Sequence, residues 1–185
     1  MLPANFDPQP ILMGDTLSLR PLCEADRAGL YDVASNPAVW AGHPAKDRHE
    51  RPVFDPYFDM LLASGTTLVV SEQATEQIIG CSRYYAAPDH SGSVSIGYTF
   101  LGQDWWGGAA NFAMKSLMLA HAFKTVDTVW LHINLNNIRS QRATAKLGAV
   151  HAYDGALTMG GKSGIWQCWR LEKSAWDRVV ATRQS

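Results

Sequence analysis

Cysteine is scarce: Cys23, Cys81 and Cys168 stand far apart, with no CxxC pair. That argues against a disulfide framework or a zinc site built from closely spaced ligands, so no metal is expected, and a reducing compartment suits the chain. An excess of one charge is missing too. Lys and Arg number 16 against 17 Asp and Glu, a formal net charge of −1, which leaves no basic field for nucleic acid and no patch for an anionic membrane. No apolar run approaches the roughly 18 residues that signal a membrane span. The opening "MLPANFDPQPILMGD" has neither a basic n-region nor an apolar h-region and does not read as a signal peptide. Repeats, low-complexity segments and linkers are absent. The two commonest glycine-rich nucleotide loops, GxGxxG and GxxxxGK[ST], are absent as well, which disfavours a dinucleotide or Walker site.

What is present is globular. Hydrophobic residues make up 46% and charged residues 18% of 185 positions, and a chain of this length buries roughly 70% of its unfolded surface. One cytoplasmic, soluble domain over 1–185 is the expectation. "TLSLRPL" alternates like a half-buried strand, and "CEADRAGLYDVASN" reads as a helix stopped at Asn36-Pro37. "VWAGHPAKDRHERP" reads as a loop, and "FDPYFDMLLASG" as a second helix ending at Gly65. "TTLVVSE" and "QIIGCSRYY" form a hairpin, followed by a strand in "VSIGYTFL" and a helix from about residue 110. "TVWLHINLN" is a strand to Asn136, "NIRSQRATAKLGA" a short helix closed by Gly148, and "AVHAYDGAL" with "GIWQCWRLE" a last hairpin. "SAWDRVVATR" is a terminal helix with Ser174 as N-cap. The order β-α-α-β-β-β-α-β-α-β-β describes an α/β domain with a mixed, mostly antiparallel sheet rather than a doubly wound one.

Chemistry concentrates in two segments. In "DWWGGAANF" the side chains shrink to Gly107, Gly108, Ala109 and Ala110 where a helix begins. A helix start carries unpaired N–H groups and about half a positive charge, so small residues there let a pyrophosphate reach the backbone between Trp106 and Asn111. A tight strand-to-helix turn under the two tryptophans is the alternative reading. In "LHINLNNIRSQRATAKLGA", Asn137 and Ser140 stand just past a strand end, at the first turn of another helix.

Together these segments resemble the GNAT superfamily of acyl-CoA-dependent N-acetyltransferases, in the branch of the ribosomal-protein N-terminal acetyltransferases. The similarity runs through "LSLRPLCEADRAGLYDVASNPAVW", "IIGCSRYY", "IGYTF", "WWGGAANFAMKSLMLAHAF", "NNIRSQRATAKLGA" and "WQCWRLEKSAW" in the family's order. It implies an N-acetyltransferase domain over about 16–176, with the sheet splayed between the strands at 94–101 and 128–136. It implies acetyl-CoA as co-substrate and a primary amine as acceptor, the α-amine of a peptide or a small-molecule amine, attacking directly in a ternary complex. Trp106, Gly107, Gly108, Ala109, Ala110 and Asn111 would hold the pyrophosphate, Asn137 the pantetheine arm, and Ser140 the thioester sulfur. Tyr98, Thr99 and Phe100 would offer backbone groups to the pantetheine as an added strand does. Homodimers are common in the superfamily. An acyl-CoA sensor of the same fold is the rival reading.

Three departures from the family pattern bear on catalysis. Ser95 stands where the branch usually carries Glu, Ala113 replaces the Glu of N-T-E-A-K, and Thr144 falls where many members have a general-acid tyrosine. A thiol of pKa about 8.5 leaves with little help, so one hydrogen bond from Ser140 suffices. An α-amine near pKa 8 is about a tenth neutral at pH 7, a lysine amine under a thousandth. A site short of carboxylates therefore favours the weaker base. His132 is the remaining candidate for a catalytic base, with a hydrogen-bonded structural histidine as the alternative. Trp40, His43 and Tyr153 are candidates to line the acceptor pocket, against core packing for the two aromatics and a solvated loop position for the histidine.

Overall fold

The computed structural model describes residues 1–107 and 109–184. Hydrogen-bonded strands run in the order β1-β2-β3-β4-β5-β6-β8-β7, where β1 is Leu12–Met13, β2 Leu17–Pro21, β3 Thr67–Glu72, β4 Ile78–Tyr85, β5 Val94–Leu101, β6 Thr128–Asn134, β7 Val150–Met159 and β8 Lys162–Glu172. The β1–β2, β2–β3, β3–β4, β6–β8 and β7–β8 ladders are antiparallel, and β5–β6 is parallel. This is the expected mixed α/β architecture. Contacts divide the chain into two compact units: one of Asp7–Tyr84 with Gly97–Ala120, the other of Met1–Phe6, Tyr85–Ile96 and His121–Ser185.

The unit of Asp7–Tyr84 and Gly97–Ala120 is a meander backed by helices α1 (Arg27–Ala34), α2 (Pro37–Trp40), α3 (Arg51–Ala63) and most of α4 (Ala110–Ala122). β2 alternates buried and exposed positions as its sequence does, whereas "TLVVS" of β3 is buried without a break. A continuous apolar run marks a strand covered on both faces. Leu30, Trp40, Phe54, Phe58, Leu61, Val69 and Phe100 are among the members of its core cluster. Asp26 anchors the entry to α1: its carboxylate accepts two bonds from Arg20, at 2.8 and 2.6 Å, and one from the Cys23 amide at 2.9 Å.

Two expectations fail in this unit. The segment from Val39 does not begin as a loop: Asn36 caps a new turn through the Ala38 amide, Pro37 occupies its start, and Val39 and Trp40 are buried. Asn-Pro stops one helix and equally well starts the next, because a proline costs nothing at a first helical position. For the same reason α3 begins at Arg51, with Pro52 in its first turn, rather than at Phe54. The two-residue β1 was not foreseen; two residues carry no periodicity.

The other unit holds the start of β5, β6, β8 and β7, with α5 (Ile138–Ala145) and α6 (Lys173–Gln184). Gly160 and Gly161, at φ of 57° and 78°, turn the β7–β8 hairpin. The parallel ladder between β5 and β6 consists of Val94↔Val129 and Ser95↔Trp130, at the beginning of both strands. β6 stops at Asn134 rather than Asn136, because the Asn134 side chain and carbonyl accept the amides of Asn136 and Asn137 and turn the chain. α6 starts at Lys173, ahead of the expected cap Ser174, with the Lys173 amide bonded to the Asp127 carbonyl.

Candidate active site

The expected phosphate seat lies at the start of α4. Gly107 adopts φ of 70°, a conformation that L side chains rarely adopt, and a Cβ built there would meet nothing within 4 Å. Gly108 lies outside the described residues. Ala109 is exposed, Ala110 is the first residue of the helix and is buried, and Asn111 is partly covered. The Ala109 carbonyl takes the Ala113 amide at 2.8 Å. Trp106 packs on the apolar cluster and donates its indole N–H to the Leu101 carbonyl at 2.9 Å. Gly107 and Ala109 are thus exposed just ahead of the helix, while Trp106 anchors the turn. The packing of Trp106 matches the alternative reading, a turn held under the tryptophans.

Strand β5 supplies the next element. Tyr98 stands at φ of 52°, which costs a non-glycine residue on the order of 1–3 kcal/mol and recurs at functional sites. Its carbonyl faces the Cys81 thiol at 3.7 Å. The Phe100 side chain belongs to the core. Thr99 joins a polar group that sequence reading passed over: Thr99 Oγ1 and Ser82 Oγ lie 2.7 Å apart, and Lys115 Nζ donates to them at 2.9 and 3.3 Å. Burial lowers the Lys115 amine to about 7, since an ammonium inside a protein loses its hydration.

In the other unit, Asn137 caps α5, its carboxamide oxygen accepting the Ser140 amide at 3.2 Å. That leaves the carboxamide N–H groups as the donors this side chain can turn toward a ligand. Ser140 sits partly exposed in the first turn.

The remaining candidates divide. Trp40 is 2% exposed, and its indole donates to the Ala34 carbonyl at 2.8 Å. It packs edge-on to His43 and Tyr57, a core role that leaves no polar group of the indole for an acceptor. His43 Nδ1 accepts the Ala45 amide at 3.0 Å. His132 and Tyr153 are brought together by Asp89, a loop residue with no sequence signal of its own. The Tyr153 hydroxyl donates to the Asp89 carboxylate and lies 2.7 Å from His90 Nε2. His132 Nε2 stands 3.5 Å from Asp89 Oδ1, its Nδ1 is 2.9 Å from the Tyr85 hydroxyl, and its side chain has no exposed surface. Burial lowers its pKa against the pull of Asp89. Burial pushes the Asp89 carboxyl up, but the Tyr153 bond and its own backbone amide outweigh this and hold it below the usual range. His132 is thus a neutral, enclosed imidazole and not an open base. Ser95, in the place of the family's Glu, is wholly buried, and its hydroxyl has no partner.

Comparison with known proteins follows this geometry. The family described as Acetyltransferase (GNAT) domain matches residues 16–150. No curated protein sequence matches. Among solved structures, a GCN5-related N-acetyltransferase from Brucella melitensis superposes with a TM-score of 0.82 at 17% identity, covering 100% of this chain and 88% of the other. Mycobacterium smegmatis RimJ in complex with CoA-disulfide gives 0.67 at 17% identity, with 98% and 97% covered. FdhC, a nucleotide-linked sugar GNAT, gives 0.65 at 14% identity, with 95% and 97% covered. These likenesses establish the fold, and the family match establishes the class of reaction. The chain belongs to the GNAT acetyltransferases, enzymes that move an acyl group from acyl-CoA to an amine.

Proposed function

We propose that this enzyme acetylates a primary amine of low basicity, a peptide α-amine or a small-molecule amine, by direct attack on acetyl-CoA in a ternary complex. The observation that carries the reading is the start of α4, where Gly107 in its left-handed conformation and Ala109 are both exposed, at a helix end whose first N–H groups lack helical partners and favour an anion. On this reading the amides of residues 107–111 hold the pyrophosphate. Asn137 gives its carboxamide N–H to the pantetheine, and the Tyr98, Thr99 and Phe100 backbone takes the rest of that arm. The neutral amine attacks the thioester carbonyl, the nitrogen of the tetrahedral intermediate gives a proton to water, and the C–S bond breaks as the thiolate leaves toward the Ser140 hydroxyl and takes a proton from solvent. Water takes the amine proton beforehand, since an α-amine is about a tenth neutral at pH 7 and the His132 side chain has no exposed surface. The absence of carboxylates at Ser95 and Ala113 supports the preference for weakly basic acceptors.

Thermal melting tests the cofactor half. Acetyl-CoA at about 100 times its Kd should stabilise the fold by about 2.7 kcal/mol, and Ala109→Asp should erase that shift by setting a carboxylate against the pyrophosphate. A shift that survives Ala109→Asp would move the phosphate site elsewhere. For the acceptor half, coenzyme A release is followed by thiol trapping over N-terminal peptides, amino acids, polyamines and aminoglycosides. Turnover confined to ε-amines would overturn the preference.

A further inference from the structure

The polar cluster around Asp89 is built like a ligand set. Register pairing places Tyr153 of β7 opposite Cys168 of β8, and Cys168 opposite His132 of β6. Residues directly opposite on neighbouring strands project to one face, so three strands present a row of phenol, thiol and imidazole. The loop after β4 lays Asp89 against this row. The ligand atoms of Asp89, His132 and Cys168 all lie within 4.8 Å of one another, and among the described residues this is the one such group. His132 Nε2 is 3.5 Å from Asp89 Oδ1, and Cys168 Sγ is 3.8 Å from Asp89 Oδ2. A tetrahedral metal with bonds of about 2.0–2.3 Å needs ligand-to-ligand edges of about 3.3–3.8 Å.

A second observation is independent of that spacing. His132 Nε2 is fully buried and has no hydrogen-bond partner, an unusual state for a buried nitrogen. The other ring nitrogen already meets the Tyr85 hydroxyl at 2.9 Å. That is how metal-binding histidines are held, with one nitrogen fixed by a neighbour and the other aimed at the ion. Asp89 is steadied in the same way by the Tyr153 hydroxyl, which His90 in turn engages while stacking on Trp130 at 4.0 Å.

We propose that Asp89, His132 and Cys168 bind a divalent transition metal of the zinc class. One nitrogen, one sulfur and one oxygen donor suit zinc or cobalt, whereas magnesium and calcium take oxygen ligands almost alone. On binding, the Cys168 thiol gives its proton to solvent, and a thiolate and a carboxylate then balance the ion's two positive charges. Three protein ligands leave the fourth position to water or an incoming ligand, the coordination of catalytic rather than closed structural zinc sites. Asp89 keeps 22% of its side chain exposed and provides the way in.

Cobalt(II) chloride is the probe, titrated into the reduced full-length protein without acetyl-CoA. One equivalent per chain should produce a thiolate-to-cobalt charge-transfer band in the near ultraviolet and tetrahedral ligand-field bands in the visible, and zinc should displace both. Cys168→Ser should abolish the charge-transfer band, and Cys23→Ser should leave it intact. Asp89→Asn, at a partly exposed loop position, should weaken cobalt binding at least tenfold while its circular dichroism stays native. The proposal fails if no charge-transfer band forms, if the band survives Cys168→Ser or follows Cys23, or if Asp89→Asn binds as tightly as the parent. The readout is spectroscopic, so it is independent of whether acetyl transfer is observed.

Discussion

The two compact units solve the burial problem in opposite ways. The unit of Asp7–Tyr84 and Gly97–Ala120 has a broad apolar cluster that includes Leu30, Trp40, Phe54, Phe58, Leu61 and Phe100. The charge of Lys115 enters its interior only at the cost of a lowered pKa. In the other unit a cluster is built from Ala87, Trp130 and Cys168 with Tyr153 and Leu157 against it. There, polar side chains bond one another: Tyr85 to His132, Tyr153 to Asp89, His90 to Tyr153. An apolar core gains stability from area and shape, and tolerates almost no volume change. A buried polar network gains less per group, is costly when left half satisfied, and places chemistry. The contrast sets a broad apolar cluster in one unit beside a bonded polar network in the other.

Substitutions sharpen that contrast, beginning with the largest expected effect. A Cβ on Gly80 would overlap the Phe100 carbonyl oxygen and come within 2.9 Å of Leu101 Cα, both of them backbone. Gly80→Ala should therefore cost more than about 3 kcal/mol, because neither strand can retreat. Little folded protein by circular dichroism at 37 °C is the expected result, and a melting curve like the parent's would show that the strands can part.

Lys115→Met comes next, with the opposite sign. Between about 7 and the ordinary 10.5, the unfolded chain keeps a proton on this amine that the folded chain has lost. Stability of the parent should rise with pH across that window. Met removes the dependence and should add on the order of 1–3 kcal/mol at pH 7, while Ser82 and Thr99 keep their bond to each other. Urea unfolding at pH 7 and pH 10 separates the two curves.

In the polar unit, Tyr85→Phe deletes the hydroxyl that meets His132 Nδ1 and strands a buried nitrogen. A loss of about 1–3 kcal/mol is expected. A smaller loss would mean that the imidazole finds another partner. Asp26→Asn should cost about 1–2 kcal/mol at neutral pH by weakening the Arg20 pair. Burial raises the Asp26 pKa, but the Arg20 and Cys23 bonds outweigh it and the net shift is downward. A carboxylate with a depressed folded pKa stabilises fully above its unfolded value and stops doing so as pH falls through the folded one. The gap between parent and variant should accordingly close in acid, below the usual carboxylate range.

Much of the fold was legible because local chemistry announces it. Alternation marks β2, the unbroken run "TLVV" marks β3, and the small residues of "WWGGAANF" mark the start of α4. The misreadings are equally local. Asn36-Pro37 is both a stop and a start, and Pro52 sits inside the first turn of α3 rather than before it. His132 and Tyr153 were singled out, but what they do was not readable. Their shared partner Asp89 lies in "APDHSGS", a segment with nothing but turn residues around it. Trp40 looked free to line a pocket because the helix that buries it was read as a loop.

The sequence by itself determined the order of the elements other than β1 and α2, the mixed α/β class, and membership of an acyl-transferring family. These depend on periodicity, capping and motif, each readable within a dozen or so neighbouring residues. Only the tertiary structure decided that Tyr153, Cys168 and His132 form one row, that Asp89 closes on it, and that Lys115 loses its water. Strand register and loop placement join residues distant in the chain. Burial from several sides at once is a sum over those distant contacts, so no local pattern contains it.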